Sequence, residues 1–368
     1  MHLSSADALS LRMTSLLLRP HPRGNPSDVA GVVQWFGAMQ AQDLASGLWS
    51  FGARLSGHTV ADVNAALERR EAVRTWPMRG TVHFVPPADA HWMLELMGAR
   101  PLAGAAARRA TIGLDEATAD RGVEVLAAAL AGGGRLTRAE CIAELAEQGI
   151  SGASQLGYHL LWYASQRGVT CIAPHVGNEQ TFVLLDEWVP GPNRPDREEA
   201  LGLIALRYFR SHGPTTRKDF AGWTGLTMAD ARAGIAAAGA ELTTVDVDGV
   251  EMIADPALLD AHPARADDWW TLPGFDEYLL GFKDRSMMLD DAHKQAIIPG
   301  GNGIFQSTIV RAGRVVGTWK RSLGRKAVTV DAFPLVPLRP ADRRKAELAF
   351  TRYSEFVGLP VLVRWAGP

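Results

Sequence analysis

A repeated unit restricts the fold of this 368-residue chain more than any other feature: helices, then two short β-prone runs. Apolar residues recur every three or four positions in its helical parts, as on the buried face of a helix. The two runs alternate in polarity and are separated by turn residues, as in a β-hairpin. The unit occurs three times, with hairpins predicted at residues 73–76 with 81–85, 169–172 with 182–185, and 242–247 with 250–253.

Helices followed by a hairpin are typical of the winged helix, a helix-turn-helix with a β-hairpin wing. Beyond residue 264 the pattern becomes mainly β, with runs at 304–310, 314–320 and 327–333 before a closing helix at 340–356. We therefore expect an α+β fold, mainly α, with three tandem winged-helix units and a C-terminal β-rich subdomain. The boundaries are predicted at residues 1–87, 88–192, 193–263 and 264–368, with linkers at Pro86-Pro87, residues 190–193 and Pro263.

Composition excludes several classes of protein. Hydrophobic residues make up 47% and charged residues 21% of the chain, so wholesale disorder is excluded. No apolar run approaches the ~18 residues of a membrane span, and the N-terminus lacks a signal-peptide core. Cys141 and Cys171 are too few for a disulfide framework or a four-cysteine zinc site. We expect a cytoplasmic protein with no membrane partner, no metal and no other cofactor.

The distribution of charge leaves a nucleic-acid partner open. The formal net charge is −2, which by itself argues against a polyanionic partner. Residues 1–85 carry 8 basic and 6 acidic side chains, residues 86–270 carry 15 and 25, and residues 271–368 carry 15 and 9. Basic ends around an acidic centre are compatible with a footprint on nucleic acid. Chance clustering, and an arginine content set by a GC-rich genome, are the alternatives.

Two glutamines, Gln40 and Gln42, lie at the predicted end of a helix. Residues two apart are about 200° apart around a helix but point the same way in an extended segment. Asp43 and Ser46 are good caps for a following helix. We therefore expect the chain to break here, so that both amides project from the connection. Two solvated loop glutamines are the alternative interpretation.

A second candidate segment, residues 275–285, mixes apolar residues with alternating charges. Packing around an internal ion pair is one explanation of this pattern. A functional explanation places Lys283 or Arg285 on phosphate. The sequence contains no P-loop, no GxSxG elbow and no HExxH motif. These two segments are therefore the strongest candidates for a functional site.

Together with residues 74–83 and 303–321, these segments occur in the order found in the AlkZ-type bacterial DNA glycosylases, which the chain resembles over essentially its whole length. The resemblance implies excision of N7-alkylated purines from double-stranded DNA, including bulky adducts and interstrand crosslinks. It also implies a role in DNA repair or in self-resistance to a genotoxic natural product. The family has a Gln-x-Gln branch and a Gln-x-Asp branch, and Gln40-Ala41-Gln42 resembles the first. By resemblance, Gln40 and Gln42 are the catalytic pair.

Two neutral amides suit the chemistry of such a lesion. N7-alkylguanine is cationic, so the base leaves as a neutral molecule and needs no general acid. The enzyme has to place a water beneath C1′ and stabilise positive charge on the sugar, which oriented amide dipoles can do. With no amine nucleophile assigned, we expect monofunctional hydrolysis that leaves an abasic site. Lys283 is the residue that a Schiff-base mechanism would use.

We expect the wing residues Arg79 and His83 to enter a DNA groove, while Lys283, Arg285, Lys320 and Arg321 hold phosphates. The expected partner is double-stranded DNA carrying alkylated purines, bound by a monomer associated with the nucleoid. The main alternative is a non-catalytic winged-helix transcriptional regulator, which usually binds as a two-fold dimer. The sequence has no obvious dimerisation coil. A structural or interaction module is the third hypothesis.

Overall fold

The computed structural model describes residues 1–151, 154–260 and 267–366. Its helices are α1 (Ser5–Ser15), α2 (Val29–Phe36), α3 (Leu44–Gly52), α4 (Val60–Glu68), α5 (Ala90–Thr111), α6 (Glu116–Leu130), α7 (Arg138–Glu147), α8 (Ser154–Gln166), α9 (Leu185–Trp188), α10 (Arg197–His212), α11 (Arg217–Thr224), α12 (Met228–Ala238), α13 (Glu277–Leu280), α14 (Lys294–Ile297), α15 (Pro340–Ala349) and α16 (Thr351–Val357). Its strands are β1 (His2–Leu3), β2 (Met39–Gln40), β3 (Val73–Met78), β4 (Thr81–Val85), β5 (Leu136–Thr137), β6 (Thr170–Val176), β7 (Glu179–Leu184), β8 (Thr243–Val247), β9 (Val250–Ala254), β10 (Trp269–Leu272), β11 (Ser307–Arg311), β12 (Arg314–Leu323), β13 (Val328–Pro334) and β14 (Val361–Trp365). The linker predicted at Pro263 lies outside the described residues.

Helix exceeds strand, so the expected α+β class with mainly α content is confirmed. The three predicted hairpins are present as β3 with β4, β6 with β7, and β8 with β9. Local signals explain where the helices begin. Asp28, Thr59 and Thr216 cap α2, α4 and α11, because each side-chain oxygen accepts a backbone N–H three residues further on.

The first two hairpins belong to one six-stranded sheet, in the order β2-β4-β3-β6-β7-β5. Arg74 on β3 pairs with Ile172 on β6, which covers an edge that each hairpin alone would leave open. The third hairpin takes β1 at its edge instead, with His2 beside Asp246 in a parallel pair. The first residues of the chain therefore pack on the unit predicted at 193–263.

The C-terminal subdomain is built on a five-stranded sheet in the order β10 to β14. The predicted strands appear as β11, β12 and β13. The single closing helix predicted at 340–356 is wrong: α15 and α16 are separate helices that meet at the buried Phe350. The chain then returns as β14, which pairs in parallel with β13 and was absent from the sequence prediction.

The largest difference from the sequence prediction is α5, a helix of 22 residues in a part of the second unit where no helix was predicted. Pro87 opens a short 3₁₀ turn that leads into α5, because the fixed φ of proline suits the first turn of a helix. Pro101 lies inside α5, and an internal proline normally indicates the end of a helix. Asn193, from the second predicted linker, donates its side-chain N–H to Asp89 Oδ1 (2.8 Å). The second predicted linker therefore contacts the residues that directly follow the first.

The C-terminal subdomain packs against the first unit, and this contact positions the Gln-Ala-Gln segment. Trp49 on α3 is 1% exposed and donates its Nε1–H to the carbonyl of Thr271 on β10 (2.8 Å). Arg54 forms a bidentate ion pair with Asp276, at 2.8 and 2.9 Å. The segment 275–285 thus packs around a buried ion pair, to which it contributes Asp276 and the first unit contributes Arg54. Within the described ranges, no helix is long and apolar enough to cross a membrane.

Candidate active site

The Gln-Ala-Gln segment is an extended break between two helices, as predicted. Helix α2 ends at Gly37, whose φ of 76° lies in the left-handed region that favours glycine. The chain then forms β2, in which Gln40 pairs with His83 on β4. Asp43 caps the start of α3. Strand pairing ends at Gln40, and the chain bends at residues 42 and 43 before α3 begins, so the predicted break between the helices is confirmed.

The two glutamines have different surroundings. Gln40 is 7% exposed, and among the described residues its side-chain amide has no hydrogen-bonding group within reach. Gln42 is exposed, and its Oε1 accepts the backbone N–H of Val82 (3.2 Å). One glutamine is therefore buried behind the surface and the other lies at the surface, where it lines a recess.

Arg79 and His83 are turned inward, contrary to the expectation that they enter a DNA groove. His83 is 0% exposed, with Nδ1 2.8 Å from the carbonyl of Thr81. Half-buried Arg79 donates Nη1–H to the carbonyl of Trp223, and its Nη2 lies 3.4 Å from His83 Nε2. The reason is strand pairing, which places His83 beside Gln40 under the C-terminal subdomain. His83 supports the site from within and offers no surface to DNA.

Burial of His83 gives the protein a defined response to acid. Desolvation, helped by the Arg79 charge, lowers the pKa of His83 from 6.5 to about 3. The unfolded chain takes up this proton below about pH 6.5 and the folded protein does not, so stability falls on acidification between these pKa values. We expect His83→Gln to remove about 1 kcal/mol of this loss per pH unit between pH 6 and 4. Urea unfolding at several pH values measures it, and parallel slopes for both proteins would contradict the assignment.

Glu277 touches the Gln-Ala-Gln segment from behind, and the sequence assigned it no role. It is 2% exposed, and its Oε1 accepts the backbone N–H of Gln40 (3.0 Å). Its Oε2 accepts the Trp223 indole N–H (2.9 Å) and lies 3.3 Å from His212 Nε2. His212 comes this close because Gly281 has no Cβ, which would collide with the imidazole ring. Glu277 therefore joins the Gln-Ala-Gln segment to the unit predicted at residues 193–263.

The Glu277 carboxyl is held in its charged form. Burial raises its pKa, but the hydrogen bond and charge of His212, with the Trp223 N–H, outweigh burial and lower the pKa below its ordinary value. The sequence signal for such a residue is a carboxylate at the start of the apolar run Tyr278-Leu279-Leu280. A carboxylate that polar neighbours keep ionised at a buried position is a frequent feature of functional sites.

A recess of about 600 Å³ opens beside Gln42, between the first hairpin and the second unit. Arg74 lies in its wall at 5% exposure and donates Nη2–H to the carbonyl of Ala41, at 3.3 Å. Burial lowers the pKa of Arg74 to about 10, and among described residues its Nε–H has no acceptor. The recess is lined by Gln42, Asp43, Leu44, Arg74, Val82, Arg138, Ala139, Tyr158, His175, Asn178, Glu179 and Gln180.

Of the expected phosphate contacts on the segment 275–285, Lys283 is exposed and Arg285 is engaged inside the protein. Lys283 is held through its backbone N–H, which donates to Asp219 Oδ1 (2.8 Å). Half-buried Arg285 donates Nε–H to the carbonyl of Leu279 (2.6 Å) and packs over the Phe305 ring. Lys283 therefore has the accessible charge of the two.

The two expected phosphate-binding residues on β12, Lys320 and Arg321, differ in exposure. Lys320 is exposed and lies 6.0 Å from the centre of the Phe333 ring. Arg321 is half-buried, with Nη2 3.7 Å from Asp43 Oδ1. Asp43 follows Gln42 directly. Of the basic residues expected to contact phosphate, Arg321 is therefore the one that lies beside the Gln-Ala-Gln segment.

Comparison with known proteins identifies the family. The family described as DNA glycosylase AlkZ-like matches residues 33–356, which include both glutamines and Glu277. The chain belongs to the AlkZ-like DNA glycosylases. The interstrand DNA cross-link repair glycosylase of Streptomyces sahachiroi is 28% identical to this AlkZ-like protein over 378 aligned positions, covering 96% of this chain and 97% of the relative. The solved structure of Streptomyces sahachiroi DNA glycosylase AlkZ matches it with a TM-score of 0.81 at 26% identity, over 100% of both chains.

Membership in this family settles the general activity. This AlkZ-like protein is a DNA glycosylase, an enzyme that hydrolyses N-glycosyl bonds, and DNA is its substrate. The prediction of a DNA-repair glycosylase made from the spaced motifs is confirmed. The shared fold extends over 100% of both chains, so it includes both the Gln-Ala-Gln segment and the C-terminal sheet.

Proposed function

We propose that this glycosylase removes cationic N7-alkylguanine, including bulky adducts and interstrand crosslinks, and leaves an abasic site. Gln40 and Gln42 are the catalytic pair in this proposal. The observation that supports it is their position in the break between two helices, with Gln42 in the wall of an open recess. No side chain that could act as a Schiff-base nucleophile stands beside them in the described part of the chain, which favours hydrolysis.

The mechanism follows from the charge of the lesion. The glycosidic electron pair neutralises the positively charged purine as it leaves, and the sugar acquires oxocarbenium character. Gln40 and Gln42 direct their carbonyl dipoles at this charge and hold the water that attacks C1′. A preorganised dipole of this kind contributes about 2–4 kcal/mol. That contribution suits a lesion with a good leaving group and is too small for an unmodified nucleoside, so selectivity for cationic purines follows from the chemistry.

The recess supports the bulky part of the substrate range. About 600 Å³ lies within the ~300–1,000 Å³ of pockets that hold drug-sized ligands, and a methyl group needs none of it. Tyr158 supplies an aromatic face, and Arg138 and Arg74 supply donors for oxygen atoms of an adduct. A base that is crosslinked to the opposite strand cannot be flipped freely into a closed pocket. An open recess beside the amides allows such a lesion to be read in place.

Contacts to the DNA backbone are proposed for Lys283, Lys320 and Arg321, with Arg285 as a structural support. All three residues belong to the C-terminal subdomain, where Lys283 and Lys320 are exposed and Arg321 is half-buried. Arg321 lies beside Asp43, next to the catalytic segment. The three helix-and-hairpin units act in this proposal as winged helices around the duplex. The enzyme works as a monomer on chromosomal DNA, with binding that weakens steeply as salt rises.

Release of free base from defined duplexes tests this proposal. We expect N7-methylguanine and N7-benzylguanine to be excised, unmodified guanine to be left in place, and an alkali-labile abasic site to remain without a trapped borohydride adduct. Ala139→Trp narrows the recess without removing a contact. It should lower the benzyl-to-methyl rate ratio about ten-fold. A Schiff-base adduct, or a ratio unchanged by the tryptophan, would refute the corresponding part.

A further inference from the structure

We propose that Glu277 is the positioning residue of Gln40 and that its buried negative charge favours the positively charged transition state. This inference rests on the proposed catalytic role of Gln40. The two glutamines that face the lesion are neutral, so the charge that complements an oxocarbenium ion has to come from behind them. Glu277 stands at that place, hydrogen-bonded to the backbone N–H of Gln40 (3.0 Å).

Buried charges hold the Gln-Ala-Gln segment at two peptide groups, one on each side of the peptide group that joins Gln40 to Ala41. The Gln40 N–H donates to the Glu277 carboxylate, and the Ala41 carbonyl accepts from the Arg74 guanidinium (3.3 Å). Glu277 and Arg74 are 2% and 5% exposed, so bulk water screens these interactions weakly. The anion lies on the side of Gln40 and the cation on the side that leads to Gln42 and the recess. The two charges hold the segment in one orientation, and the negative potential is greatest next to Gln40.

The groups around Glu277 leave one of its two carboxylate oxygens to the Gln-Ala-Gln segment. His83 is neutral near pH 7, because burial lowers its pKa to about 3. The Arg79 guanidinium is directed at the Trp223 carbonyl and the His83 ring. His212 is the basic group bonded to Glu277 (3.3 Å), and it sits on the face of the carboxylate remote from the Gln40 N–H. The carboxylate oxygen that meets Gln40 therefore has the catalytic segment as its direct hydrogen-bonding contact.

The first experiment compares Glu277→Gln with Asp89→Asn in single-turnover excision of N7-methylguanine. Asp89 is a matched control, because it is 1% exposed, accepts a tryptophan N–H (2.8 Å) and pairs with Arg207 (2.7 Å), and these contacts do not involve the Gln-Ala-Gln segment. We expect Glu277→Gln to lower the excision rate constant about 10- to 100-fold. The Kd for lesion DNA should change less than about three-fold. A rate within two-fold of wild type, or equal losses in both variants, would overturn the proposal.

The second experiment separates charge from folding. Duplexes carrying a protonated pyrrolidine nucleotide or a neutral tetrahydrofuran nucleotide mimic the cationic sugar and its uncharged equivalent, and transition-state mimics bind preferentially. Wild type should bind the pyrrolidine duplex about ten-fold more tightly than the other. Glu277→Gln should lose this preference, whereas Glu277→Asp, which keeps the charge but not the reach to Gln40, should retain it and still excise slowly. A preference that survives in Glu277→Gln overturns the electrostatic role, and wild type without excision refutes the proposed function instead.

Discussion

Replacing Gln40 and Gln42 together by alanine should abolish detectable excision of N7-alkylguanine, with a loss of about 10³-fold or more in the single-turnover rate. Each single substitution should cost about 10²–10³-fold, because each removes one preorganised dipole. The losses should not add, since both amides act on the same water and the same sugar. Lesion-DNA affinity should fall by less than about five-fold, because backbone contacts supply most of the binding.

The matched control for these variants is Gln34→Ala. Gln34 is an exposed glutamine in the last turn of α2, six positions before Gln40, and its truncation should leave both rate and stability close to wild type. Gln42→Ala also frees the backbone N–H of Val82, at the solvent-exposed rim where water replaces the bond. Circular dichroism and urea unfolding show that the fold persists. Excision at the wild-type rate by the double variant would show that neither glutamine takes part in catalysis in this protein.

Local sequence signals predicted the secondary structure well where the signals are strong. Asp28 and Thr216 cap helices where a side-chain oxygen precedes an apolar repeat, and Asp248-Gly249 joins β8 to β9. The signals failed where tertiary contacts decide the structure. Pro101 lies inside α5, where a proline normally argues against a helix. The buried face of α5 packs on β3, and this packing stabilises the helix despite the lost backbone hydrogen bond.

Residue spacing predicted the extended break at the catalytic segment, because two caps and a glutamine pair meet within a few residues. It did not predict what lies behind that segment. Glu277 is 237 positions away from Gln40, and no local pattern relates two residues across such a separation. His83 was expected to contact DNA because it lies on a strand of the predicted wing. Pairing of that strand with β2 buries its side chain inside the protein instead. Long-range strand and subdomain contacts therefore determine the site more than its local motifs do.

The charge distribution acquires a structural explanation from the same contacts. The two basic ends of the sequence pack directly on each other, through the Arg54–Asp276 and Gln40–Glu277 contacts. Arg321 on β12 then meets Asp43 beside the catalytic segment. Residues from both ends thus form one region of the molecule, as a common footprint on DNA requires. The net charge of −2 averages this region with an acidic middle and conceals it.

Asp276→Ala should produce the largest loss of stability of any single carboxylate removal near the site, about 3–5 kcal/mol. The Arg54 side chain is 0% exposed and the Asp276 side chain 3%, so removing the acid leaves a buried guanidinium without its countercharge. Arg54 also donates to the carbonyls of Leu16 and Ser50, which satisfy its hydrogen bonds but not its charge. Urea unfolding monitored by tryptophan fluorescence measures the free energy of unfolding directly.

We expect this ion pair to affect excision as well, because Asp276 is adjacent in sequence to Glu277 and pairs with Arg54 of the first unit. Asp276→Ala should therefore lose excision as well as stability. Replacing the pair together, as Arg54→Met with Asp276→Leu, should recover most of the stability, since an apolar pair avoids the uncompensated charge. Its excision should recover less, because the anchor that sets the position of Glu277 is gone. The exposed pair Lys294–Asp291 serves as the control, and its removal should change stability by less than about 0.5 kcal/mol. Equal small effects at both pairs would show that Arg54 and Asp276 do not hold the two ends together.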